Sequence, residues 1–133
     1  MDNIKIWTDQ CLITHTKTLV ENERKLTAEV LEFLREIERR RLFAARGYSS
    51  LHQFVVQELK YSDGAAHRRI ASMRLIKDLP QAQAAIEDGS LSLSTAATLQ
   101  TFFRNEKINQ EKEYSPDEKA EIMNQAQGKS KEK

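Results

Sequence analysis

Helix breakers are scarce in this chain, with only four glycines and two prolines in 133 residues. The stretches between them are dominated by Leu, Ala, Glu, Lys, Arg and Gln, the residues that lose least freedom on entering a helix. An all-α fold is the consequence. With 39% hydrophobic and 31% charged residues, the chain can bury one modest core and keep a well-solvated surface.

The positions of the breakers divide the helices. From Thr8 to about Ala45, Leu12, Leu19, Leu26, Phe33 or Leu34, and Ile37 recur at helical spacing, which predicts one long amphipathic helix or two that break near Thr27. Gly47 is placed to end it. Ser50 with Gln53 three residues later predicts a capped start for a short helix from Leu51 to Leu59. After Lys60-Tyr61, Ser62 caps the next helix, which runs to Lys77 with Ala66, Ile70 and Met73 on one face. Pro80 opens a further short helix that Gly89 closes, and Ser92 or Ser94 caps one that carries Ala96, Leu99, Phe102 and Phe103. Ser115-Pro116-Asp117-Glu118 combines an N-cap, a first-turn proline and a capping glutamate, so a last helix should occupy 115–127. Its few apolar residues, Ala120, Ile122, Met123 and Ala126, predict weak docking.

The expected architecture is a bundle of five or six helices with a long N-terminal helix. The helical domain spans 1–104 and holds a helix-turn-helix at about 50–78. A polar connector follows at 105–114, and the tail 128–133 is expected to be disordered.

Net charge is only +1, but its distribution is uneven. Residues 60–77 carry Lys60, Arg68, Arg69, Arg74 and Lys77 against Asp63 alone, and residues 35–46 carry five arginines against Glu36 and Glu38. The first excess coincides with the second helix of the corner. Such a corner projects its second helix towards a DNA major groove, and small residues at its start permit close approach. Duplex DNA is therefore the expected partner, contacted by Lys60, Ser62, Gly64, His67, Arg68, Ala71, Arg74 and Lys77. Arg69 lies at the edge of the apolar stripe and is expected to pair with Glu36 or Glu38. The cluster Arg39-Arg40-Arg41 reads as a solvated helix end that complements the dipole, or as additional phosphate-contacting surface. Trp7 and Tyr61 read as packing residues.

Several classes of function are not expected. The three histidines, His15, His52 and His67, are widely spaced and Cys11 is the one cysteine, so neither a metal site nor a disulfide is predicted. No nucleophile, phosphate loop or catalytic carboxylate pair can be assembled, so no enzyme and no cofactor are expected. Without a signal peptide or an apolar run of about 18 residues, the protein is expected in the cytoplasm and off the membrane.

The run Leu59-Lys60-Tyr61-Ser62, Ala66, Leu75, Leu79-Pro80, Gly89-Ser90-Leu91-Ser92 and Ala96 resembles the helix-turn-helix region of ParB-type partition and KorB-type repressor proteins. Those proteins usually have glycine in the turn where Lys60 stands here. Leu34 to Arg40, Gly47-Tyr48-Ser49-Ser50-Leu51, Glu58 to Ser62 and Ala65 to Ile70 resemble the N-terminal helical region of bacterial HNH endonucleases, over roughly residues 19–125. That resemblance implies a DNA-associated role. Nuclease activity would require a separate HNH domain in a longer natural chain. The rival expectation is a helical interaction module with a purely structural corner. Leu12, Leu19 and Leu26 at seven-residue intervals support it, and they predict a homodimer through the long helix in either case.

Overall fold

The computed structural model describes residues 3–109 and 112–127, so the tail 128–133 lies outside the described residues. The described residues form seven α-helices and no strand, preceded by a single 3-10 turn at Ile4–Ile6. The helix total exceeds the expected five or six because the first long segment ends early.

Helix α1 spans Asp9–Arg40, starting where Thr8 Oγ1 accepts from the Cys11 amide and passing unbroken through Thr27. It stops at Arg41, whose φ of 53° is left-handed. One turn of helix, α2 at Leu42–Ala45, then buries Phe43, and the Arg41 guanidinium lies over the Phe43 ring. Burial of that ring offsets the unfavourable backbone of Arg41. Ser50 caps α3, Leu51–Gln57, by accepting from the Gln53 amide. Ser62 caps α4, Asp63–Asp78, by accepting from Ala65. The turn between α3 and α4 takes five residues, 58–62, where about three were expected.

Helix α4 is the centre of the molecule and packs against α1, α3 and α6. Ala66, Ile70, Ala71, Ser72, Met73, Leu75 and Ile76 are all buried. Its main neighbour, α6, spans Leu93–Asn109 and therefore continues through half of the expected polar connector. Small buried side chains on both helices, Ala66 and Ser72 against Ala96 and Ala97, allow a close approach. The Ser72 hydroxyl, on the one buried polar residue among the described residues, donates to the Leu93 carbonyl at 3.3 Å and is thereby satisfied.

The short α5, Ala82–Asp88, ends at Gly89 with φ 88° and packs on α1. There Arg24 donates to the Glu87 carbonyl and covers Gly89, where an added Cβ would lie 3.0 Å from Arg24 Nε. Helix α7, Pro116–Ala126, has the full capping box of Ser115 and Glu118. It docks more firmly than its composition suggested: Met123 is buried, Lys119 lies over Phe103 and reaches Asp78, and Gln127 donates to Ser90.

Candidate functional site

The body of α4 is sunk in the core, and its surface divides between an amino-terminal half and the exposed Arg74, Lys77 and Asp78 towards its other end. Arg68 sits one turn above Gly64, and its Nη1 lies 3.2 Å from where a Gly64 Cβ would be. The missing side chain thus lets a guanidinium fold back over the first turn of a 16-residue helix, adding its charge to the positive end of the dipole. Beside it, exposed His67 stands on a ridge between two open recesses. One is lined by Ser50, His52, Ile70, Gln100 and Arg104, and the other by Arg68, Ser94, Thr98, Thr101 and Asn105.

This arrangement brings together residues that are far apart in sequence. His52 and His67 share one recess, and His52 Nε2 stands 3.2 Å from Asp63 Oδ1 at the tip of α4. From α6 come Ser94, Thr98, Thr101 and Asn105. Sequence reasoning missed them, although their spacing of four, three and four residues is the signature of one helical face. Gln100 Oε1 is a buried acceptor without a hydrogen-bond partner among the described residues, set between this face and α7.

Of the eight residues expected at the site, five lie at or before this amino-terminal half. Lys60 is exposed in the turn with φ 70°, Ser62 serves as the cap, and Gly64, His67 and Arg68 form the first two turns. The other three are placed differently, and only Ala71 needs correction. Ala71 is only 7% exposed and packs into the core, so it has no reach to a base edge. Arg74 lines the His67 recess, but its guanidinium donates to Glu38 of α1 at 2.6 and 3.2 Å. Lys77 lies about 20 Å along α4 from Gly64 by the helical rise, in a recess that mixes Glu32, Glu36 and Glu38 with Arg35 and Arg39 of α1.

The helix-one partner expected for Arg69 is thus taken by Arg74. Arg69 instead lies over the Tyr61 ring at 4.6 Å and donates to the Ala65 carbonyl, so Tyr61 is a packing residue.

In the second basic region three of the five arginines, Arg39, Arg40 and Arg46, are paired within the chain, while Arg35 and Arg41 form no ion pair among the described residues. Glu36 accepts from Arg39 at 3.0 Å and from Arg40 at 2.6 Å, and these bonds hold its carboxyl at about 2. Arg46 pairs with Glu58 at 2.7 Å, and the Tyr48 hydroxyl donates to the same carboxylate. These contacts lower the Glu58 pKa, the bond from Arg46 most. By contrast Lys60, Arg68 and Arg104 form no ion pair among the described residues.

Among the described residues no group of three or more His, Cys, Asp and Glu side chains is placed to hold a metal ion, and no helix is long and apolar enough to cross a membrane. No curated protein and no solved structure matches the chain. One family model does, over residues 13–132, and by that match the chain belongs to the DUF222 family, described as a domain of unknown function.

Proposed function

We propose that this domain binds duplex DNA through the amino-terminal half of α4 and the polar face of α6, and that it carries no catalytic centre. The observation that carries this reading is the unequal fate of the cations. Arg39, Arg40 and Arg46 are committed to Glu36 and Glu58, whereas Arg68 and Arg104 line an open polar face without an ion pair among the described residues, and Lys60 in the turn before α4 is likewise unpaired there. Asp63 at the tip of α4 disfavours a phosphate on the free amides there, so phosphate contact falls to those three cations. His67 and the α6 hydroxyls and amide are groups suited to base edges or to phosphate oxygens.

The resemblance to the N-terminal region of bacterial HNH endonucleases adds a context, since DUF222 domains typically precede HNH domains in bacteria. In a longer natural chain, such a module would bring a separate nuclease domain to DNA.

A salt-dependent titration of labelled duplexes tests the reading. Arg68→Ala should weaken binding and lower the slope of log affinity against log salt by about one. Arg74→Ala should bind as the wild type does, and its cost should be in stability, about 1 kcal/mol or less for a pair of this exposure. Wild-type affinity in Arg68→Ala together with abolished binding in Arg39→Ala or Arg40→Ala would move the site to the end of α1.

A second reading, an interaction module, is favoured by apolar side chains exposed along α1. It uses different residues and is compatible with the first.

A further inference from the structure

Helix α1 has 32 residues and a length of about 48 Å, yet it buries only Ala28, Leu31 and Leu34. Every residue from Asp9 to Glu23 is exposed, so about four turns project beyond Arg24, where α5 last supports the helix. A helix that short is marginal in water by itself. Of the twelve large hydrophobic residues exposed among the described residues, eight lie between Ile4 and Phe33. Four of these, Leu12, Leu19, Leu26 and Phe33, repeat every seven residues and form one stripe. The stripe begins on the projecting turns and continues along the flank of the body, where Leu26 is 61% and Phe33 69% exposed.

We propose that this stripe is covered by the same stripe of a second copy, the two α1 helices running antiparallel and crossing between Leu19 and Glu23. Charge selects the occupant. Residues 9–26 hold three acids, Asp9, Glu21 and Glu23, and three bases, Lys17, Arg24 and Lys25, so the arm favours neither a polyanion nor an acidic surface. Lys17, Glu21 and Arg24 point away from the stripe by helical geometry, leaving Thr16, Thr18 and Asn22 among its borders.

Charge and length also select the direction. A parallel pair in register would set each Glu23, at the edge of the stripe, against its own copy, and would press the two bodies together at one end. The antiparallel pair, crossing at the level of residue 21, puts Glu23 opposite Leu19, Leu26 at the level of Thr16 and Leu12 at the level of Val30. The bodies then stand at opposite ends, and the apolar 3-10 turn of one copy, with Ile4 and Ile6, arrives near Phe33 of the other. This dimer is independent of the DNA-binding reading.

Sedimentation equilibrium and a distance measurement test it. The wild type should sediment at twice 15.4 kDa with a melting temperature that rises with concentration, and Leu19→Glu at the monomer mass with a folded body whose melting no longer depends on concentration, because Leu19 lies outside the core. Cys11 is exposed and is the one cysteine, so it accepts a spin label without further substitution. The two labels should lie about 30 Å apart or more by electron–electron resonance, the rise of the twenty residues separating their levels in the antiparallel pair. A monomeric wild type, a dimer that survives Leu19→Glu, or a label distance below about 20 Å would each overturn the proposal.

Discussion

Gly64 and Arg68 occupy the same space in turn: Arg68 Nη1 lies 3.2 Å from the position that a Cβ on Gly64 would take. The glycine has an ordinary backbone conformation, since Gly47 and Gly89 are the glycines with positive φ, so its side-chain space rather than its flexibility is what the structure uses. Gly64→Ala should therefore fold as well as the wild type or better, because alanine is the stronger helix former and the atom in its way ends a flexible side chain. The guanidinium need yield by only a few tenths of an ångström, so duplex affinity should fall far less than in Arg68→Ala. Thermal melting and a DNA titration on the same preparation check both parts, and a loss in Gly64→Ala as large as in Arg68→Ala would show that the first turn itself lies against the DNA.

Most of the helix starts were legible because capping chemistry is local. Ser50, Ser62 and Ser115 each accept from the amide three residues on, as their neighbours in sequence implied. The stop at Arg41 was not legible, since an arginine in the left-handed region leaves no mark in composition and follows from where Phe43 is buried. The same limit applies to the site. Ala71 and Arg68 belong to one basic, small-residue helix, but α6 covers one side of it, and only tertiary packing decides that Ala71 is inside. The Arg74–Glu38 pair spans 36 residues, so helical spacing within α4 gave no reason to prefer Arg74 over Arg69.

The carboxyl of Glu36 gives a pH-dependent signature. Hydrogen bonds from Arg39 and then Arg40 hold it at about 2, below the ordinary 4.5. A depressed carboxyl pKa contributes stability that is complete above 4.5 and is lost as pH falls towards 2. The carboxyl resonance of Glu36 should titrate near 2 in the wild type and move back towards 4.5 in Arg39→Ala. High salt should shrink the difference, because the cluster is exposed to solvent. A wild-type midpoint near 4.5 would mean that Arg39 and Arg40 are not held by Glu36, and the basic end of α1 would regain its claim as a binding surface.

Lys60 separates backbone strain from charge at one position. Its φ of 70° is left-handed, a conformation that costs an ordinary residue about 1–2 kcal/mol and glycine almost nothing. The turn before α4 therefore holds a lysine where the backbone favours glycine. Lys60→Gly should raise stability, by about 1 kcal/mol or less once the greater freedom of glycine in the unfolded chain is set against the relieved strain. If the lysine is there for its charge, the same substitution should weaken DNA binding and reduce the salt slope by about one. Lys60→Asn discriminates further, because asparagine tolerates the left-handed region yet carries no charge. It should match the glycine variant in DNA binding while keeping stability near or above that of the wild type. A gain in stability with no change in the salt slope would show that Lys60 lies off the contact face, leaving Arg68 and Arg104 to hold the phosphates.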